Sequence, residues 1–211
     1  MQMGDATTPD QVVADILLGE LESTRWGTFV RMGLELQDAE ASLVTDADVT
    51  DPEENAIRAK VYAAYRGWPA SPPLYDGFPG DEIEWHHATL EPADGTRLRF
   101  LDTVEWTAIS NGTARTEVAA AAINAGTVAR GMAWDPVDAI IAIAERLRGG
   151  ESLPRCVLFG SPERDGIAIL EGHARMTAYL MVGLPPDLPV LYGTGPQARL
   201  SQWRLYPVPL R

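Results

Sequence analysis

The sequence predicts a mixed α/β protein of the α+β kind, with a helical N-terminal portion over residues 1–80 followed by a small mixed-sheet unit over residues 81–211. Three observations carry that prediction. Apolar residues recur at helical spacing through the first third of the chain. The last third runs in the order helix, strand, hairpin, strand, helix, strand, which is the pattern of a small mixed sheet with helices on it. Hydrophobic residues make up 45% of the 211 positions, enough to bury a core.

Val12, Val13, Ile16, Leu17 and Leu21 put an apolar stripe on residues 10–21. Thr8-Pro9 starts that helix with a hydroxyl cap and a proline at the first helical position. A second helix follows over residues 28–36. Asp51-Pro52-Glu53-Glu54 opens a third, running to Tyr65, with an aspartate cap and acidic first-turn residues. Residues 67–80 are rich in proline and glycine and read as irregular: a linker, or a loop packed by Trp68, Tyr75 and Phe78. Residues 82–90 and 98–102 read as strands joined by a turn at Ala93-Asp94-Gly95. Residues 105–109 lead to Ser110-Asn111-Gly112-Thr113, and an alanine-rich helix over residues 117–125 ends at Gly126. Asp135-Pro136 starts a helix that stops at Gly149-Gly150. Strands over residues 155–159 and 167–170 flank a turn at 161–166. A glycine turn, a helix and a last strand over residues 188–192 complete the unit. The segment 199–211, with Trp203 and Tyr206, packs back on the body.

The formal net charge is −13 and the sequence pI about 4.6. An acidic surface repels nucleic-acid phosphates and anionic lipid, which disfavours a nucleic-acid or membrane partner and favours a small-molecule substrate. Lys60 is the sole lysine, so a phosphate clamp must be built from arginine, histidine and backbone amides, and the P-loop signature is absent. Cys156 is the sole cysteine; it forms no internal disulfide or thiolate cluster, and its apolar neighbours Val157, Leu158 and Phe159 mark it as a buried, inert thiol. Residues 1–9 are polar and acidic, and no run of about 18 apolar residues occurs. These features predict a cytoplasmic protein.

The chemistry concentrates at Glu171-Gly172-His173-Ala174-Arg175, where an apolar strand turns through glycine into a helix. The free N–H groups and dipole of a helix start attract an anion, and Arg175 falls in that first turn with a forked, permanently charged donor. His173 or Glu171 would handle a proton there, as donor or acceptor. Thr177 bonds a phosphate oxygen or faces its own helix turn. Ser110-Asn111-Gly112-Thr113-Ala114-Arg115 is a second candidate anion turn, and Arg115 would form a clamp if it met Arg175. His86 and His87 are adjacent on a strand and point to opposite faces, which argues against a shared metal site; no metal ligands are assigned.

Residues 135–192 resemble the ParB/sulfiredoxin-like fold, the nucleotide-binding N-terminal domain of ParB proteins. Gly172, Arg175 and Ala178 match in order and spacing the Gly-x-x-Arg-x-x-Ala motif that holds a nucleotide's phosphates in that family, and Gly172-His173-Ala174-Arg175 is similar to the Gly-His-Arg variant of sulfiredoxins and free-serine kinases. The segment Leu147-Arg148-Gly149-Gly150-Glu151, with Pro154, looks like the family's lead-in to its first strand. No cysteine stands in the turn, which disfavours sulfinic-acid reduction. No helix-turn-helix follows. The resemblance implies an ATP- or ADP-binding enzyme, with Mg²⁺ as an accompanying ion, acting on a small molecule by phosphoryl transfer or phosphate hydrolysis. Gly172, His173, Ala174, Arg175, Thr177 and Arg115 would bind phosphate, and Glu171 and His173 would be catalytic. The alternative is a non-catalytic nucleotide-sensing or protein-binding module.

Overall fold

The computed structural model describes residues 1–66, 77–128, 130–131 and 135–207. Trp68 and Tyr75, expected to pack an irregular loop, lie outside the described residues. The fold is α+β, as the sequence predicts. Six strands form one mixed sheet: β1 (Gln2–Ala6), β2 (Glu84–Leu90), β3 (Leu98–Arg99), β4 (Cys156–Gly160), β5 (Ile167–Glu171) and β6 (Leu188–Thr194). Their spatial order is β1-β2-β6-β4-β5-β3. The β6–β4 and β5–β3 pairs are parallel and the other three antiparallel.

Helices cover both faces. One layer holds α1 (Pro9–Leu21), α2 (Gly27–Leu36), α3 (Ser42–Thr45) and α4 (Pro52–Tyr65); the other holds α5 (Val104–Ile109), α6 (Thr116–Asn124), α7 (Val137–Arg148) and α8 (His173–Val182). A short α9 (Gln197–Leu200) leads Trp203, Leu205 and Tyr206 back into the first core. A strand covered on both faces needs apolar residues at every position, and β4 shows it. Val157 and Phe159 enter the core under α1, while Cys156 and Leu158 enter the core under α7 and α8. The start signals read from the sequence form as expected. The Thr8 hydroxyl accepts from the Gln11 N–H at 3.2 Å, and the Asp51 carboxylate accepts from the N–H groups of Glu53 and Glu54 at 2.8 and 3.2 Å.

Two readings need correction. The segments expected at 82–90 and 98–102 do not pair across a turn. Residues Pro92–Arg97 form a 3-10 helix, closed by the Glu91 N–H donating to Asp94 at 3.0 Å and by Arg97 on Asp94 at 2.8 Å. Those bonds, with the donor missing at Pro92, satisfy the backbone without a β-turn. The chain is thereby carried across the sheet, and β3, only two residues long, lies at the far edge beside β5. Residues 2–6, for which the sequence predicts no element, form edge strand β1. Every residue of it is exposed, so no hydrophobic alternation announces it; backbone pairing with β2 holds it, and the Gln2 amide donates to Glu91 at 2.9 Å. Residues on both sides of position 80 therefore share one sheet and one core. Among the described residues no helix is long and apolar enough to cross a membrane.

Ile16 of α1 and Ile140 of α7 are each fully buried, on opposite faces of the sheet. Replacing either with alanine is expected to lower unfolding free energy by about 2–5 kcal/mol. Because the two cores share β4, urea denaturation followed by tryptophan fluorescence and by far-ultraviolet circular dichroism should give coincident transitions in both variants.

Candidate functional site

A cavity of about 750 Å³ opens beyond the carboxyl ends of β3 and β5, between the two helix layers. Its floor is the turn that the sequence singles out: Glu171, Gly172, His173, Ala174 and Arg175 all line it. The other walls come from the C-terminal half of α1, residues 22–26, residues 101–106 and one face of α7. Open α/β sheets bind ligands at this end of their strands, because helix starts and loops converge there.

The turn is built on glycine. Gly172 has φ +90°, a left-handed conformation costly for any residue with a Cβ. A Cβ there would also lie 2.7 Å from the Cys156 sulfur. The Cys156 thiol donates to the Gly172 carbonyl at 3.6 Å, and burial raises its pKa, which fits the inert thiol expected. No side chain caps the start of α8.

Arg175 is buried, with 7% of its surface exposed. Its Nη1 donates to the main-chain carbonyls of Pro154 and Arg155 at 2.8 and 3.0 Å. Its Nη2 is buried without a hydrogen-bond partner, in the seam between Gly19 of α1 and Gly172. Among the described residues no carboxylate lies within ion-pair distance of it. A Cβ at Gly19 would fall inside the guanidinium, 2.5 Å from Cζ. Gly19 thus lets α1 approach the helix start closely enough to seal the guanidinium in place.

His173 is a wall. Its ring stacks on Trp106 at 4.9 Å and on Phe100 at 5.9 Å, each at 18°. Its Nε2 lies 3.5 Å from the Leu101 N–H, which assigns the ring proton to Nδ1. Burial, and then the charges of Arg66, Arg25 and Arg175, lower its pKa to about 3. It carries no positive charge at neutral pH, so it has no imidazolium to offer an anion.

Glu171 is 2% exposed and paired with Arg66: one Nη2 reaches both carboxylate oxygens at 2.9 and 3.0 Å. The Arg66 guanidinium also covers the Trp26 ring, 4.1 Å from its centroid, and Arg25 lies 4.7 Å from the same ring. Arg25 pairs with Glu105 at 3.4 Å, and burial lowers its pKa. Among the described residues, Arg146 and Arg204 bring the arginines of the lining to five. Against them stand five carboxylates: Glu20, Glu22, Asp102, Glu105 and Glu171. The lining is balanced in charge within a strongly acidic protein.

Two expected phosphate ligands are elsewhere. Thr177 is buried and donates to the His173 carbonyl at 2.8 Å, the helix-facing alternative. Arg115 begins α6, pairs with Glu117 and bridges Arg99; it does not line the cavity or meet Arg175. The Ser110–Arg115 segment serves as the α5–α6 connection, with the Ser110 hydroxyl donating to the Trp106 carbonyl at 2.8 Å. His87 is used structurally: its Nδ1 faces Arg155 at 3.0 Å, and Arg155 pairs with Asp15. Among the described residues no group of three or more His, Cys, Asp or Glu gathers as a metal site. Sequence reasoning missed Gly19, Glu20, Arg25 and Arg66. No family model, curated protein or solved structure matches the chain.

A histidine neutral in the fold but protonated when unfolded makes stability depend on pH. The His173 pKa is depressed from 6.5 to about 3, so its contribution is complete above pH 6.5 and is lost as pH falls toward 3. The expected slope in that window is up to about 1.4 kcal/mol per pH unit. His173→Gln keeps an acceptor for Leu101 and should remove that part of the slope in urea titrations across the window. Gly19→Ala ordinarily gains about 1 kcal/mol of helix propensity. Here the methyl displaces a buried guanidinium, and a net loss of about 1–3 kcal/mol is expected by the same measurement.

Proposed function

We propose that this protein binds a small molecule through a phosphate or like anion seated at the Gly172 turn, inside the interlayer cavity. The observation that carries the reading is Arg175: a buried guanidinium with no anionic partner, directly behind an uncapped helix start. The N–H groups and dipole of that start favour an anion. The guanidinium charge behind them strengthens the attraction, because it is screened little in a buried setting.

The turn motif, Gly172 and Arg175 with Ala178, favours a nucleotide of the ADP or ATP kind, and the cavity volume lies within the range of small-molecule sites. The polyphosphate would bring Mg²⁺, held chiefly by its own phosphate oxygens. In a phosphoryl-transfer or phosphate-hydrolysing enzyme the turn and Arg175 would position the phosphate and offset its charge. With His173 neutral and stacked, the proton-handling role would rest with Glu171, whose carboxylate Arg66 orients. Binding without turnover would make the protein a nucleotide sensor, and the same site serves both.

Melting temperature should rise in millimolar ATP, ADP or inorganic phosphate, with or without Mg²⁺, since a ligand at a hundred times its Kd adds about 2.7 kcal/mol. Phosphate release measured in the same samples separates turnover from sensing. Arg175→Gln removes the charge and, being shorter, gives up the bonds to the Pro154 and Arg155 carbonyls, so its ligand-free melting temperature should fall. Measured from that new baseline, and at temperatures where circular dichroism shows the variant folded, the anion-induced shift should be abolished. If none of these anions moves the melting temperature, the reading is wrong.

A further inference from the structure

Arg175 is not the only unmatched charge on this cavity. Glu20 is the residue after Gly19, on the face of α1 that carries Ile16 and Leu17 into the core. It is 7% exposed and lines the cavity. Among the described residues its carboxylate makes no hydrogen bond and no ion pair within 4.0 Å, in contrast to Asp15 on the same helix, which Arg155 holds at 2.7 Å. The nearby guanidiniums are engaged elsewhere: Arg25 faces Glu105, Arg66 faces Glu171, and Arg146 faces Glu22 and Glu151. Glu20 follows Gly19, against which the Arg175 guanidinium packs, yet among the described residues Glu20 and Arg175 do not pair with each other. One cavity wall thus carries, among the described residues, a buried guanidinium without a carboxylate partner and, beside it, a carboxylate that lines the cavity without an ion pair. A buried guanidinium without a counter-charge is costly, and a ligand that sets an anion on the turn before Arg175 and a cation at the Glu20 carboxylate complements both charges at once.

We propose that the natural ligand is a zwitterion: its anionic group lies on the Gly172 turn before Arg175, and an ammonium group on the same molecule is held by the Glu20 carboxylate. This rests on the anion reading above and names the ligand class for that site. The balance of the lining, five arginines against five carboxylates, suits a ligand with little net charge. The anion is a phosphate or a carboxylate, and both chemistries satisfy the same pair of residues.

The test compares two matched ligand series by calorimetric titration: ω-aminoalkyl phosphates of two to five carbons against the same alkyl phosphates, and ω-amino carboxylates against the same carboxylates. An amine that meets Glu20 should tighten binding at least about tenfold at the best chain length, the effect of one hydrogen bond to a charged group. In Glu20→Gln that preference should disappear, while the amine-free anions bind at least as tightly as they do to the parent, because a carboxylate on the same wall has been removed. The better series identifies the anion. Equal binding of amine-bearing and amine-free ligands by the parent protein would overturn the zwitterion and leave the anion site standing; so would a preference that survives Glu20→Gln. Failure of every member of both series would overturn the anion site and the zwitterion with it. The comparison within the parent protein decides the matter even if the variant folds poorly.

Discussion

The constraint on which the rest depends is the close approach of α1 to the start of α8, sealed by a single guanidinium. Arg175 ties three pieces of backbone together. Its Nη1 holds the carbonyls of Pro154 and Arg155 just before β4, and its Nη2 fills the seam between Gly19 and Gly172. α1 belongs to one helix layer, α8 to the other, and residues 154–155 lead into the sheet between them. A side chain at Gly19 would hold the layers apart, and a side chain at Gly172 would meet Cys156 and strain the turn. Both glycines answer to the same demand, that main chain and guanidinium share a gap with no room for a Cβ.

The polar groups around the cavity illustrate how buried charge is tolerated. Arg66 and Glu171 are nearly free of solvent and satisfy each other. Such a pair adds little net stability, because desolvating two ions costs about as much as their attraction returns. What it adds is direction: it fixes the last residue of β5, and the Arg66 face lies on Trp26. His173 resolves the same problem by giving up its charge, stacked against the Trp106 and Phe100 rings with three guanidiniums nearby. These groups are compensated within the fold. Arg175 and Glu20 form no ion pair among the described residues, and that difference is what the proposed ligand site rests on.

The sequence carried the helix starts and the last-third order well, because those signals are local: Thr8-Pro9, Asp51-Pro52 and the apolar runs at 156–159 and 167–170 need no partner to be read. Non-local choices were not legible. Nothing near residues 98–99 says that they cross to the far edge of the sheet, and β1 is held by backbone pairing that leaves no side-chain pattern. The site divides in the same way. The Gly172 turn announced itself by its strand–glycine–helix order. Arg115 shares that local logic and sits elsewhere, since convergence is a property of the tertiary fold. Thr177 and His173 satisfied local rules for a ligand and were claimed by the core instead. One missed signal was present in the sequence: Gly19-Glu20, a glycine and a carboxylate on the apolar stripe of α1. A helix interior tolerates neither without a reason. The reasons are the close approach and the cavity.

The charge of the whole molecule bears on what enters that cavity. At −13 the protein repels anions at long range, and a polyphosphate must approach against that field. Inside, the described lining carries as many carboxylates as arginines, so a polyphosphate of the kind proposed would rely on the Mg²⁺ it brings to offset its remaining charge. A zwitterion meets no net repulsion on the way in, and it finds on one wall the two groups the fold leaves unmatched. Long-range charge and local geometry therefore both suit the proposed zwitterion, with its anionic end before Arg175 and its cationic end toward Glu20.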